Sequence, residues 1–119
     1  MTQIRECGRT VAGDLVAFDI QWDGDLAGDD VAWAALICSP DNREEVHLVH
    51  RLRAGTAQQY VEGAKGRQDV DVDADVREDD VIVRFPSSVV GVAAEWPTWV
   101  AVLAIDGQEV AREPIPPRG

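Results

Sequence analysis

The stretch that most constrains how this chain can fold is residues 96–114, WPTWVAVLAIDGQEVAREP. An apolar run rich in β-branched residues ends at Asp106-Gly107, and a second strand-like run follows. A two-residue turn between antiparallel strands needs φ > 0 at both central positions, a requirement that Asp-Gly meets at little steric cost. The segment therefore predicts a β-hairpin. Its first strand is apolar on both faces, with Trp99, Ala101, Leu103 and Ile105 on one and Val100, Val102 and Ala104 on the other. A strand of that kind belongs inside a sheet that is covered on both sides, not at an exposed edge.

The rest of the chain repeats the pattern in shorter pieces. Val16, Phe18, Ile20 and Trp22 share one face of a strand at period two. Residues 23–30, DGDLAGDD, then make a polar turn. Residues 31–38, VAWAALIC, form an apolar run whose β-branched content and flanking turn residues favour a buried strand. In residues 45–53, Val46, Leu48, His50 and Leu52 alternate with a mostly polar face, and Ala54-Gly55 closes the run. Short strands follow at 58–62 and 81–85, and Pro86 ends the latter. Residues 69–76 alternate Val70, Val72, Ala74 and Val76 with aspartates, and 87–94 is the one place that suits a helical turn. Turn signals recur every ~8–12 residues and no helical periodicity separates the strands. The expected fold is therefore all-β: a single-domain antiparallel β-sandwich, jelly-roll or immunoglobulin-like, of seven to nine strands. The expected organisation is a flexible leader at 1–10, the sandwich at 11–114 and a Pro-rich tail at 115–119.

Composition narrows the classes of partner. A net charge of −11 over 119 residues disfavours phosphate backbones and anionic membrane surfaces; it suits a cation, a protein partner with a basic surface, or simply a solvated acidic surface that favours solubility. Lys65 stands alone against ten arginines, a bias typical of high-GC genomes. No apolar run approaches the ~18 residues of a membrane span. No signal peptide is visible at the N-terminus, so the chain reads as cytoplasmic as written, and as extracellular if a signal peptide has been removed. Cys7 and Cys38 fit no zinc or redox spacing; a disulfide between them is an option for a secreted protein, and Cys38 otherwise reads as a small buried hydrophobe.

Two acidic groups are candidate calcium ligands, since calcium favours several oxygen donors. Asp69, Asp71, Asp73 and Asp75 would project from one face of a strand, where they could also serve simply as its solvated side. Asp23, Asp25, Asp29 and Asp30 gather in a loop that Gly24 and Gly28 allow to turn. His47 and His50 fall on opposite faces of their strand and cannot share an ion there. Trp22 and Trp96 stand at strand ends, where an indole can be half exposed and offer a surface to a sugar ring or a protein; core-edge packing is the competing reading. Ser87 and Ser88, in FPSSVVG, lack the setting of a nucleophile elbow, and no phosphate cradle appears.

Residues 81–114, a strand ending in Phe85-Pro86, a Ser-led turn, a Trp-bearing strand and the Asp-Gly hairpin, resemble the closing part of β-sandwich domains of actinobacterial secreted proteins. These are similar to family-nine carbohydrate-binding-module-like and DOMON-like domains. The resemblance implies a jelly-roll-like sandwich, with sugar or haem binding in some members. The stretch WDGDLAGDDVAWAALI also resembles the calcium-binding tellurium-resistance-type sandwiches, and departs from them at Ala32 and Ala34, where those proteins carry acidic residues. Together these readings predict a non-catalytic binding or interaction module. The alternatives are a calcium- or carbohydrate-binding domain, or an acidic inhibitor or immunity-type protein that neutralises a basic partner. Ligand and oligomeric state stay open.

Overall fold

The computed structural model describes residues 2–71 and 74–118, and it is an antiparallel β-sandwich. Its strands are β1 (Gln3–Ala12), β2 (Leu15–Asp23), β3 (Asp30–Cys38), β4 (Glu45–Arg53), β5 (Thr56–Gly63), β6 (Gly66–Asp69), β7 (Ala74–Val76), β8 (Asp80–Pro86), β9 (Thr98–Ile105) and β10 (Gln108–Pro114). One sheet has the order β1-β2-β8-β7 and the other β10-β9-β3-β4-β5-β6. Hairpins join neighbours within a sheet. The chain changes sheet after β2, after β6 and after β8, the last time through a helical turn α1 (Ser87–Val90) and a 3-10 turn (Gly91–Glu95).

The core lies between the sheets and follows the alternation read from the sequence. Val16, Phe18, Ile20 and Trp22 of β2, with Val81, Val83 and Phe85 of β8, meet Val31, Trp33, Ala35 and Ile37 of β3, Leu48 of β4, and Trp99, Ala101 and Leu103 of β9. β9 sits between β10 and β3, inside its sheet as expected, but among the described residues no further layer covers the outer face of that sheet. Its outward Val102 joins Ala34 and Val49 in a smaller apolar cluster on the far side of that sheet. The hairpin turn is as expected, with φ 51° at Asp106 and 83° at Gly107. Ala54-Gly55 repeats that geometry, with φ 50° and 82°.

The strand count exceeds the expected seven to nine for two reasons, and each corrects a boundary. First, residues 3–12 are not a loose leader: they pair with β2 along its whole length. A bulge between Ile4 and Glu6 breaks the alternation, so Ile4 and Cys7 both turn inward at an odd spacing. Second, residues 69–76 are two strands in different sheets. β6 pairs with β5, and β7 pairs with β8. Val70, just after β6, and Ala74, at the start of β7, both pack against the core.

The Pro-rich tail is also docked, not free. Ile115 is 2% exposed within the core, and its N–H donates to Trp99 O at 2.9 Å. Arg9 N donates to Pro116 O at 3.1 Å, and Arg118 N donates to Arg9 O at 2.8 Å. Proline gives no N–H to a ladder, but its carbonyl accepts as well as any other. The Arg118 side chain crosses over Gly8, where a Cβ would sit 2.2 Å from Nε, and reaches the Asp19 carboxylate. Cys7 and Cys38 are free thiols. Cys7 donates to Pro114 O at 3.2 Å and burial pushes its pKa up, whereas Cys38 is only half-buried.

Candidate functional site

The strand directions sort the loops into two ends of the sandwich. Residues 24–29, the Ala54-Gly55 and Asp106-Gly107 turns, and residues 77–79 gather at one end. The segment 87–97 and the turns after Ala12, Cys38 and Gly63 gather at the other.

At the first end the two hairpin tips clamp the loop between β2 and β3. Ala54 N donates to Asp29 O at 2.8 Å, and Asp106 N donates to Asp30 O at 2.7 Å. The Asp106 carboxylate in turn accepts from the backbone N–H groups of Asp29 and Asp30, both at 3.2 Å. Gly28 passes so close beneath that a Cβ there would lie 2.6 Å from Ile105 Cγ2. Residues far apart in sequence thereby hold the 28–30 end of the loop in place.

The clamped loop forms one wall of a cleft of about 510 Å³. Its apolar lining comes from Leu26, Val31, Leu52 and Val76, with Trp22 and Trp33 at the floor. Asp25, Asp29, Arg77 and Glu78 line it as well, and their exposed positions in the loops make them its rim. A volume of this size falls in the range of small-molecule sites. The two indoles pack 5.6 Å apart between centroids, and Trp33 stacks on the His50 ring at 5.7 Å. His50, 4% exposed, is next in register and is bonded at 2.8 Å through Nδ1 to Gln59 Nε2. Burial lowers the His50 pKa, so the ring is neutral and the Gln59 amide donates to it. Two atoms of this row, Trp33 Nε1 and Gln59 Oε1, are buried without a hydrogen-bond partner among the described residues. A buried donor or acceptor left without a partner costs about 1–3 kcal/mol.

The residues singled out in the sequence distribute as follows. Trp22 lines the cleft but is 3% exposed, so its ring is packed into the core and presents no open face for stacking. Trp96 is half-buried at the opposite end, where its carbonyl accepts the Trp99 indole N–H at 2.9 Å. The two do not form one surface.

The loop aspartates are divided as well. Asp23 pairs with Arg5 at 2.8 Å, and Asp30 takes a two-pronged bond from Arg51, which holds its carboxyl below the usual carboxylate range. Only Asp25 and Asp29 of that group reach the cleft. The aspartate comb does not exist as one row: Asp69 on β6 pairs with Arg67 at 2.9 Å, and Asp75 on β7 pairs with Arg84 at 3.2 Å. Asp71 lies in the connection between the sheets, and Asp73 lies outside the described residues. Among the described residues, no three His, Cys, Asp or Glu side chains come together in a way that could hold a metal ion. His47 and His50 do take opposite faces, His47 turning outward to the Glu45 carboxylate.

Sequence reasoning missed Trp33 as a site residue, because an apolar run marks it as core and nothing in the run signals that its N–H goes unpaired. It also missed Glu78 and Arg77, which reach the cleft only through the pairing of β7 with β8.

A two-sheet antiparallel sandwich with a clamped end-cleft defines the class of this protein. No protein-family model, no curated protein and no solved structure matches the chain.

Proposed function

We propose that the protein is a non-catalytic binding module that holds a small ligand in the cleft between the 24–29 loop, the Ala54-Gly55 turn and residues 76–78. One observation carries this reading: Trp33, at the floor of the cleft, has a buried indole N–H with no acceptor among the described residues. An arrangement that leaves a donor unpaired gains free energy when a ligand supplies the acceptor. One wall supports the same reading, since the bonds from Ala54 N and Asp106 N and to the Asp106 carboxylate hold Asp29 and Asp30 in place before a ligand enters. The carbohydrate-binding and calcium-binding likenesses of the sequence point to the same broad class of sandwich module.

The test uses the tryptophan indole signals in a 1H–15N spectrum. A ligand of this cleft shifts the Trp33 and Trp22 indoles and leaves that of Trp99, bonded to Trp96 O at the other end, in place. Ligands that move only the Trp96 and Trp99 signals would place the binding surface elsewhere and sink the proposal.

A further inference from the structure

The charges around the cleft are unevenly matched. Arg77, the cation in its lining, is already engaged by Asp80 at 2.8 Å, and nearby Arg5 is shared between Asp23 and Asp79. Asp25, Asp29 and Glu78 stand in the same lining and have no ion-pair partner among the described residues. Asp29 is held by its backbone, through Ala54 N and the Asp106 carboxylate, so its own carboxylate is left free. Below these carboxylates the walls are apolar, and at the floor Trp33, 1% exposed, keeps an N–H that needs an acceptor.

Acidic side chains alone define no site. Here they share a formed cleft with Trp33, whose buried N–H has no acceptor among the described residues. The two ends ask for opposite things: an acceptor oxygen at the floor, and a positive charge at the rim. A metal ion answers only the rim, and a carboxylate-bearing ligand is repelled there. We infer that the cleft takes a small organic ammonium whose skeleton also carries a hydroxyl or carbonyl oxygen, the chemistry shared by amino sugars and amino alcohols. The oxygen accepts from Trp33 Nε1, the ammonium lies among Asp25, Asp29 and Glu78, and the carbon skeleton fills the space lined by Leu26, Val31 and Leu52. The inference rests on the proposed binding role of this cleft and adds the charge of what enters it.

A matched set of probes separates the two. Glucosamine, N-acetylglucosamine and glucuronate share a hexose skeleton and carry positive, zero and negative charge, while ethanolamine and glycerol make the same comparison on a smaller frame; calcium chloride is the metal control. The expected result is a saturable shift of the Trp33 indole with glucosamine and ethanolamine, and little with their neutral or anionic counterparts. The double variant Asp25→Asn with Glu78→Gln changes two exposed side chains, so it leaves the fold intact, and it should weaken glucosamine about fivefold or more at low salt. Raising salt from about 20 to about 200 mM should weaken the wild type towards the variant. If neutral or anionic probes move Trp33 as strongly, the charge inference fails and the cleft survives. Calcium alone reproducing the shift would replace the organic cation with a metal. If no probe moves Trp33 at any salt, both the inference and the binding role of the cleft fall.

Discussion

Ile115 offers the most direct test of how the sandwich is closed. It follows the last strand in a stretch that reads as a free Pro-rich tail, yet its side chain is in the core and its N–H is bonded to Trp99 O. Ile115→Ala removes three buried carbons from a position only 2% exposed. Large-to-small changes at such sites cost about 2–5 kcal/mol, from lost transfer free energy plus the cavity left behind. The backbone bonds at 115, 116 and 118 survive the change and limit collapse, which favours the middle of that range, about 3 kcal/mol. In a domain of 119 residues each kcal/mol lowers Tm by about 4 °C, so a fall of about 12 °C is expected. Arg118→Ala serves as the comparison. Its side chain is 42% exposed and joins Asp19 and Glu6 across the surface, and pairs of that kind are worth under about 1 kcal/mol. Urea unfolding followed by tryptophan emission should show Ile115→Ala with a lowered midpoint and an unchanged m-value. A change below about 0.5 kcal/mol, the range of surface substitutions, would refute the docking of the tail.

Two other perturbations probe the site end. Asp106→Ala deletes the acceptor for Asp29 N and Asp30 N and places alanine at φ 51°, so a loss of about 1–2 kcal/mol and faster amide exchange at 29 and 30 are expected; Asp106→Asn keeps both an acceptor and tolerance of that φ and should lose less than half as much. His50 has a folded-state pKa below its unfolded value of about 6.5 because burial penalises the charged ring. The unfolded chain therefore binds the proton first, so the contribution of His50 is complete above about pH 6.5 and is lost as pH falls below it, by up to about 1.4 kcal/mol per pH unit. Urea midpoints at pH 7.5 and 5.0 should differ by more in the wild type than in His50→Gln, and equal differences would remove His50 as the cause.

How far the fold was legible depends on whether one strand's own pattern suffices. β2 shows its buried face in four residues at period two, and β9 shows both faces, because each pairs in unbroken register with a neighbour, β2 with β8 and β9 with β3. Asp106-Gly107 is legible because the turn itself demands φ > 0 at both positions. β1 is hidden for the opposite reason. Its bulge moves the inward side from Ile4 to Cys7, and its next contact is an arginine, with the Arg9 guanidinium 5.1 Å over the Trp99 ring. The aspartate comb misleads because alternation records only which side of the chain faces apolar surroundings. Val70 and Ala74 both meet that condition although β6 and β7 belong to different sheets, so one alternating pattern covers two strands.

The cleft required still more than strand pattern. Trp22 and the loop aspartates were visible as candidates, but an ion-pair partner is a property of the folded surface: Arg5 and Arg51 neutralise Asp23 and Asp30 from strands distant in sequence, and that leaves Asp25 and Asp29 to the cleft. The unpaired N–H of Trp33 follows from the same logic. An indole in an apolar run is expected to be buried, and only the arrangement of His50 and Gln59 beside it shows that its donor has been left over. Because the ring is 1% exposed, a ligand reaching that donor must displace part of the cleft lining, of which the 24–29 loop is one wall. Binding should then be accompanied by movement in 24–29 while Asp29 and Asp30 stay clamped by the Asp106 carboxylate, so the hinge falls between Gly24 and Gly28, the residues with the least to lose from a change in φ.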